Sequence, residues 1–253
     1  MIPDLRLIRA ETLKLRRRRG MLALSLLVTA GLGIVVFGVE AIQHSANPAT
    51  HGPAGGLSHY QDALTFLIAM VAVAGAIVGA TAGAQDIESG VFADLAATGR
   101  SRLALFAARV PGAWAVVVPV ALVTALVAAT AGVTLNGSLP APGFGTLVGG
   151  TLGLVVAGAL SSTLAVGLSA LVGTRGPVIG ILLAGLLLIS PLLTTVSFLG
   201  NLREGLPTSA LDRIALVPDK GFPVGLAMAI AVTIAWAAAA FAVGAWRTTT
   251  REI

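Results

Sequence analysis

Long apolar runs alternate with short polar ones along the chain. The first, residues 21–39, holds nineteen residues without a charge, which as a helix is about the length needed to cross roughly 30 Å of hydrocarbon. It is too long for the apolar core of a signal peptide, so it reads as a retained anchor. Five more runs follow at about 63–84, 110–135, 144–172, 178–199 and 223–246. The pattern predicts an all-α polytopic membrane protein with six transmembrane helices in a single transmembrane domain over 1–253.

The interruptions differ in character. In residues 1–20, Leu5, Ile8, Thr12 and Leu15 share one helical face, with Arg6, Arg9, Lys14, Arg16, Arg17, Arg18 and Arg19 around it. That is an interfacial helix whose cations meet anionic lipid, each contributing about 1 kcal/mol near such a surface, or else a plain basic flank that only sets topology. The segment 85–109 is the longest polar interruption on the same side. Ile87, Val91, Leu95 and Thr98 recur at helical spacing with Asp86, Glu88 and Asp94 beside them; Thr98-Gly99 breaks the pattern and Arg100 and Arg102 open the next helix. A short amphipathic helix outside the bilayer is expected there. Residues 200–222 are too polar to span, and Leu211, Ile214 and Ala215 after Thr208 predict another short amphipathic helix. Residues 136–143 and 173–177 are tight turns.

Within the runs, Gly75, Gly79 and Gly83 fall at intervals of four, as do Gly145, Gly149 and Gly153. Such strips let a neighbouring helix approach closely and are read as packing faces. Ser161, Ser162 and Thr163 can bond to preceding carbonyls of their own helix. Pro119 predicts a bend in the third run and Ser190-Pro191 a kink in the fifth.

Composition agrees with this reading and narrows the chemistry. The chain is 56% hydrophobic and 11% charged, with mean hydropathy +0.94. Its formal charge is +5, but the cations flank the spans, which points to lipid headgroups and membrane potential and away from nucleic acid. Thirteen cations fall on the side of the N-terminus, and three, Arg203, Arg213 and Lys220, on the other. By the positive-inside rule both termini of this multi-pass protein are cytoplasmic, and the preference for arginine over lysine with abundant alanine, valine and glycine hints at a bacterial chain, hence an inner (plasma) membrane. The absence of cysteine excludes disulfides and thiolate metal sites. His44, His51 and His59 share one outer segment, where zinc or copper could bind in principle; the breakers between them favour a hydrated loop, so no metal is assigned. Neither lysine belongs to a Gly-Lys-Ser/Thr phosphate loop, and no ionisable residue lies in the six apolar cores. Energy for any transport must come from another polypeptide.

Residues 88–109, ESGVFADLAATGRSRLALFAAR, resemble the segment after the second span of ABC-2 type permeases, the membrane subunits of ABC exporters. The basic stretch Ala10-Glu11-Thr12-Leu13-Lys14-Leu15-Arg16 before the first span is similar to that family's beginning. The resemblance implies an ABC-2 type exporter fold in which 85–109 is the coupling helix, seated in a groove of a separate ATPase subunit that carries ATP and Mg. On it, Asp86, Glu88, Arg100 and Arg102 make polar contacts, Val91 and Leu95 fill the groove, and Ile87, Thr98 and Gly99 complete the segment. It further implies a second permease subunit, identical or related, and residues 200–222 as short helices capping the pathway. The apolar cores suggest an apolar or amphipathic cargo such as a drug, antibiotic, lipid or peptide. A channel or secondary transporter would need an intramembrane charge or polar filter, and a membrane enzyme would need clustered His, Asp or Glu. A force-transmitting anchor without cargo would use the same coupling helix and stays open.

Overall fold

Helical hydrogen bonding continues past the apolar runs at both ends of the first two and at one end of the third, fifth and sixth. In the computed structural model, which describes residues 5–97, 99–217 and 224–250, six helices are long and apolar enough to cross a membrane. They are Arg19–Ala46, Leu57–Glu88, Arg102–Thr134, Phe144–Val172, Arg175–Thr195 and Leu226–Thr250, here the first to sixth spans. No strand occurs among the described residues. The 32 residues of the second span make a rod about 48 Å long, well beyond the hydrocarbon thickness. Hydropathy marks where lipid begins, whereas a helix stops only where its backbone bonding is broken. The 85–109 interruption is therefore partly span: residues 85–88 end the second span and 102–109 begin the third, which leaves the short helix Val91–Ala97 and its flanking turns between them. Pro223, Lys220, Thr98 and Arg251 lie outside the described residues.

The second and fourth spans form the centre, with about two thirds of the apolar stretch of each buried. Their backbones meet along the predicted glycine strip. A Cβ added at Gly75 would strike the Ser161 hydroxyl and the Gly158 carbonyl, one at Gly79 the Ser162 backbone, and one at Gly83 the Ser169 side chain. The fourth span's own ladder works differently. Gly149 and Gly153 receive Leu216 and Ala215, which follow the short helix Pro207–Ile214, while Gly145 has nothing within 4 Å and packs nothing. The fourth span instead offers Gly158 to Val117 and Val71, and Gly167 to the backbone of the sixth span at Ala240. Ser161, Ser162 and Thr163 bond to carbonyls of their own helix, as expected, and the Trp114 indole N–H of the third span also donates to Thr163 Oγ1 at 3.0 Å.

The irregular segments have local causes. The third span runs unbroken through Pro111 and Pro119. In the fifth span, residues Ala184–Ile189 are π-helical just before Pro191. The wider register takes up the clash between a proline ring and the carbonyl four residues earlier. The first span carries a similar stretch at Leu27–Gly31 without a proline. The expected helix in 200–222 is Pro207–Ile214, whose Pro207, Ala210 and Leu211 are buried. At the same end the polar segment after the first span is pinned down: Gly55 and Gly56 N–H groups donate to Leu135 and Gly132 carbonyls at 2.8 and 2.9 Å. His44 approaches the His51 carbonyl and His59 pairs with Glu40 at 3.4 Å.

The glycine strip yields a test. Gly79→Val forces the second and fourth spans apart and lowers stability by about 1–3 kcal/mol or more, whereas Gly145→Ala changes it by less than about 0.5 kcal/mol. Unfolding in mixed detergent micelles measures both; equal effects would show that the strip does not hold the bundle.

Candidate functional site

At the basic end of the bundle, the end carrying the N-terminal helix, four charged side chains converge. The N-terminal helix Leu5–Arg16 buries Leu15 completely and lies against the third span, where Gly112 leaves room for the Glu11 side chain. Its apolar face is thus turned to protein at Leu15 and partly at Ile8 and Thr12, while Leu5 and Leu13 stay exposed; Arg6, Arg9, Arg16, Arg17 and Arg19 are exposed and Arg18 is half-buried. The chain turns at Arg18, which has non-helical φ and ψ of −85° and 73°, and enters the first span at Arg19.

Lys14 departs from the other cations. Its ammonium reaches inward to Glu11 at 2.6 Å and to both oxygens of Asp86 at 2.9 and 3.2 Å. Asp86 sits in the last turn of the second span with its side chain only 8% exposed, and Arg109 of the third span meets it at 3.3 Å while itself 2% exposed. Arg109 also donates to the Gly83 carbonyl at 2.8 Å. A carboxylate taken out of water is stable only with such partners, and a cation beside the last carbonyls of a helix is favoured by the helix dipole. Glu11, Lys14, Asp86 and Arg109 make a formally neutral cluster joining the N-terminal helix, the second span and the third.

Glu88, one half-turn further, faces another way. Its carboxylate accepts the backbone N–H of Arg175 at 2.5 Å and lies 3.6 Å from the Arg175 guanidinium. Arg175 is the first residue of the fifth span, so Glu88 caps that helix where its N–H groups lack intrahelical partners and its dipole is positive. The final turn of the second span therefore holds three neighbours with two carboxylates.

Beyond Glu88 the chain leaves the bundle. Gly90 and Gly99 both take left-handed φ, 75° and 81°, conformations that glycine adopts without steric cost. Between them stands Val91–Ala97, with Val91 and Asp94 exposed and Leu95 half-buried. Ser101 then caps the third span by accepting the Ala104 N–H at 3.2 Å. Arg100 is exposed and Arg102, the first residue of that span, half-buried; Thr98 is outside the described residues.

The sequence-predicted coupling set is thus divided. Val91, Gly99 and Arg100 stand at the surface with Ile87, Leu95 and Arg102 partly covered, but Asp86 is turned inside and Glu88 is committed to the fifth span. Lys14, expected at the lipid surface, belongs to the inner cluster. Arg109 and Glu11 were not singled out by sequence reasoning. The signal for Arg109 was a lone cation set among Ala107, Ala108 and Val110, in apolar surroundings where a charge requires a partner. Among the described residues no three His, Asp or Glu side chains are grouped as metal ligands.

No protein-family model matches the chain, and a search of curated proteins finds no match either.

Breaking the cluster on one side has a defined cost. Arg109→Met leaves Asp86 buried with only Lys14 and lowers stability by about 3–5 kcal/mol. Adding Asp86→Asn leaves Lys14 paired with Glu11 and recovers a large part of that loss. Thermal unfolding of the purified variants in one detergent reads both steps; a double variant no better than the single one would refute the pairing.

Proposed function

We propose that the chain is the membrane subunit of an ATP-driven exporter of the ABC-2 kind, docked through Val91–Ala97 onto a separate ATPase that holds ATP and Mg. A second permease subunit, identical or related, completes the pathway, and both termini face the cytoplasm of a bacterial cell. The observation that carries this reading is the attachment of the protruding helix. It stands outside the bundle between two left-handed glycines, directly beyond a turn whose carboxylates grip the N-terminal helix, the third span and the fifth. A push on a helix so connected is delivered to three neighbours at once.

The roles of the segment follow from where its residues lie. Val91 and Leu95 enter the ATPase groove, Asp94 and Arg100 make polar contacts at its rim, and Arg102 supports the base. Asp86 and Glu88 act as positioning residues that relay the movement inward. Arg6, Arg9, Arg16, Arg17 and Arg19 hold the N-terminal helix to anionic lipid. The cargo class suggested by the uncharged cores is an apolar or amphipathic compound. A force-transmitting partner without cargo would show the same docking, and differs in that no apolar compound alters its ATPase rate.

Val91→Asp places a charge on the exposed docking face without touching the bundle. The expected result is retention of folding and insertion, with at least a tenfold weaker association with the partner ATPase and loss of its stimulation in lipid nanodiscs; Leu95→Asp acts in the same direction. Full stimulation by both variants would remove the docking helix from the mechanism.

A further inference from the structure

The fifth and sixth spans both lean on the fourth yet make few contacts with each other. Between them a cleft of about 460 Å³ remains, closed at the end away from the termini by Leu206 and Pro207. Its walls are Leu168 and Leu171 of the fourth span, Leu186 and Ile189 of the fifth, and Trp236 and Val243 of the sixth. The fifth-span wall coincides with the π-helical stretch, where Gly185 has nothing within 4 Å of an added Cβ. A volume of this size matches a ligand pocket rather than a packing defect.

The wall offers no free polar side chain. The Ser190 and Thr208 hydroxyls are bonded to each other at 2.7 Å, and the Trp236 indole N–H donates to the Gly205 carbonyl at 2.9 Å. An occupant gains from shape and apolar contact alone. From Ile181 to Leu193 the fifth-span wall is about 18 Å long at the rise of a helix, which suits an extended alkyl chain better than a compact ring system. Four residues beyond Val243, on the same helical face, comes Arg247, whose guanidinium has no partner among the described residues. It stands one turn past the basic-end mouth of the cleft, where an amphipathic occupant's head would lie.

We propose that the cleft between the fourth, fifth and sixth spans is a binding site for one acyl chain of an anionic membrane lipid, its headgroup held at the basic end by Arg247. The site does not depend on the ATPase reading, since its walls and its cation belong to the chain itself. The apolar gap explains where the chain goes, and the cation selects which lipid enters.

The test uses the full chain in nanodiscs containing phosphatidylglycerol with a photoreactive group on one acyl chain, and in parallel phosphatidylcholine carrying the same chain. Labelling concentrates on the stretches around Leu186, Ile189 and Val243, and is about fivefold higher with phosphatidylglycerol, the effect of one cation near an anionic headgroup. Gly185→Phe fills the cleft and sharply reduces labelling by both lipids. Ala239→Leu does the same from the sixth-span wall, so the test survives if either variant fails to fold. Arg247→Gln abolishes the preference for phosphatidylglycerol but leaves phosphatidylcholine labelling in place. Free glycerol phosphate in excess does not compete. The proposal is overturned if labelling is spread evenly over the lipid-facing residues, if both filling variants leave it unchanged, if free glycerol phosphate displaces the lipid, or if Leu186 crosslinks to a second copy in place of lipid.

Discussion

A strip without side chains on one helix, against which a second helix lies close, sets the frame of this protein. In hydrocarbon an apolar side chain gains little by exchanging lipid for a neighbouring helix, so association relies on close packing. The second and fourth spans achieve it at Gly75, Gly79 and Gly83, where even a methyl group would collide with Ser161, Ser162 or Ser169. The other helices lean on this pair. The apolar stretches of the fifth and sixth spans are only 17% and 11% buried, which leaves their outer faces to lipid and the space between them open. The rigid centre and the loosely attached flank are two sides of one packing arrangement.

Electrostatics takes over where the glycine strip ends. Gly83 gives its missing side chain to the fourth span and its carbonyl to Arg109, so the last packing residue is also the first of the ionic cluster. Asp86 then draws in Lys14 and with it the N-terminal helix. Removed from water, these charges hold one geometry, and that geometry fixes where the chain can leave the bundle at Gly90. The proposed docking helix is thus placed by what lies beneath it, since its own seven residues are too few to be stable alone.

Much of the fold was legible because hydropathy and helical length obey the same constraint in a membrane. Six apolar runs became six helices, and Leu211 and Ile214 marked the short helix now seen at Pro207–Ile214. The spacing of the second-span glycines is a one-dimensional signal, and an added Cβ at each would meet the fourth span. Gly145 looked the same in sequence yet meets nothing, since a strip becomes an interface only if another helix lies over it. The candidate site was less legible for a related reason. Asp86 and Glu88 are two residues apart and both looked like surface carboxylates, but their partners, Arg109, Lys14 and Arg175, are 23, 72 and 87 residues away in sequence. Local pattern carries no record of such partners, and Arg109 counted only as a topology cation.

The cap that Glu88 places on the fifth span bears on how motion would travel. A helix start inside a membrane protein leaves several backbone donors dependent on whatever faces them, and here one carboxylate oxygen receives the Arg175 N–H. Because Arg175 is exposed, water can take the carboxylate's place at modest cost. The fifth span, which forms one wall of the open cleft, is thus fastened to the second at this end by an exchangeable bond.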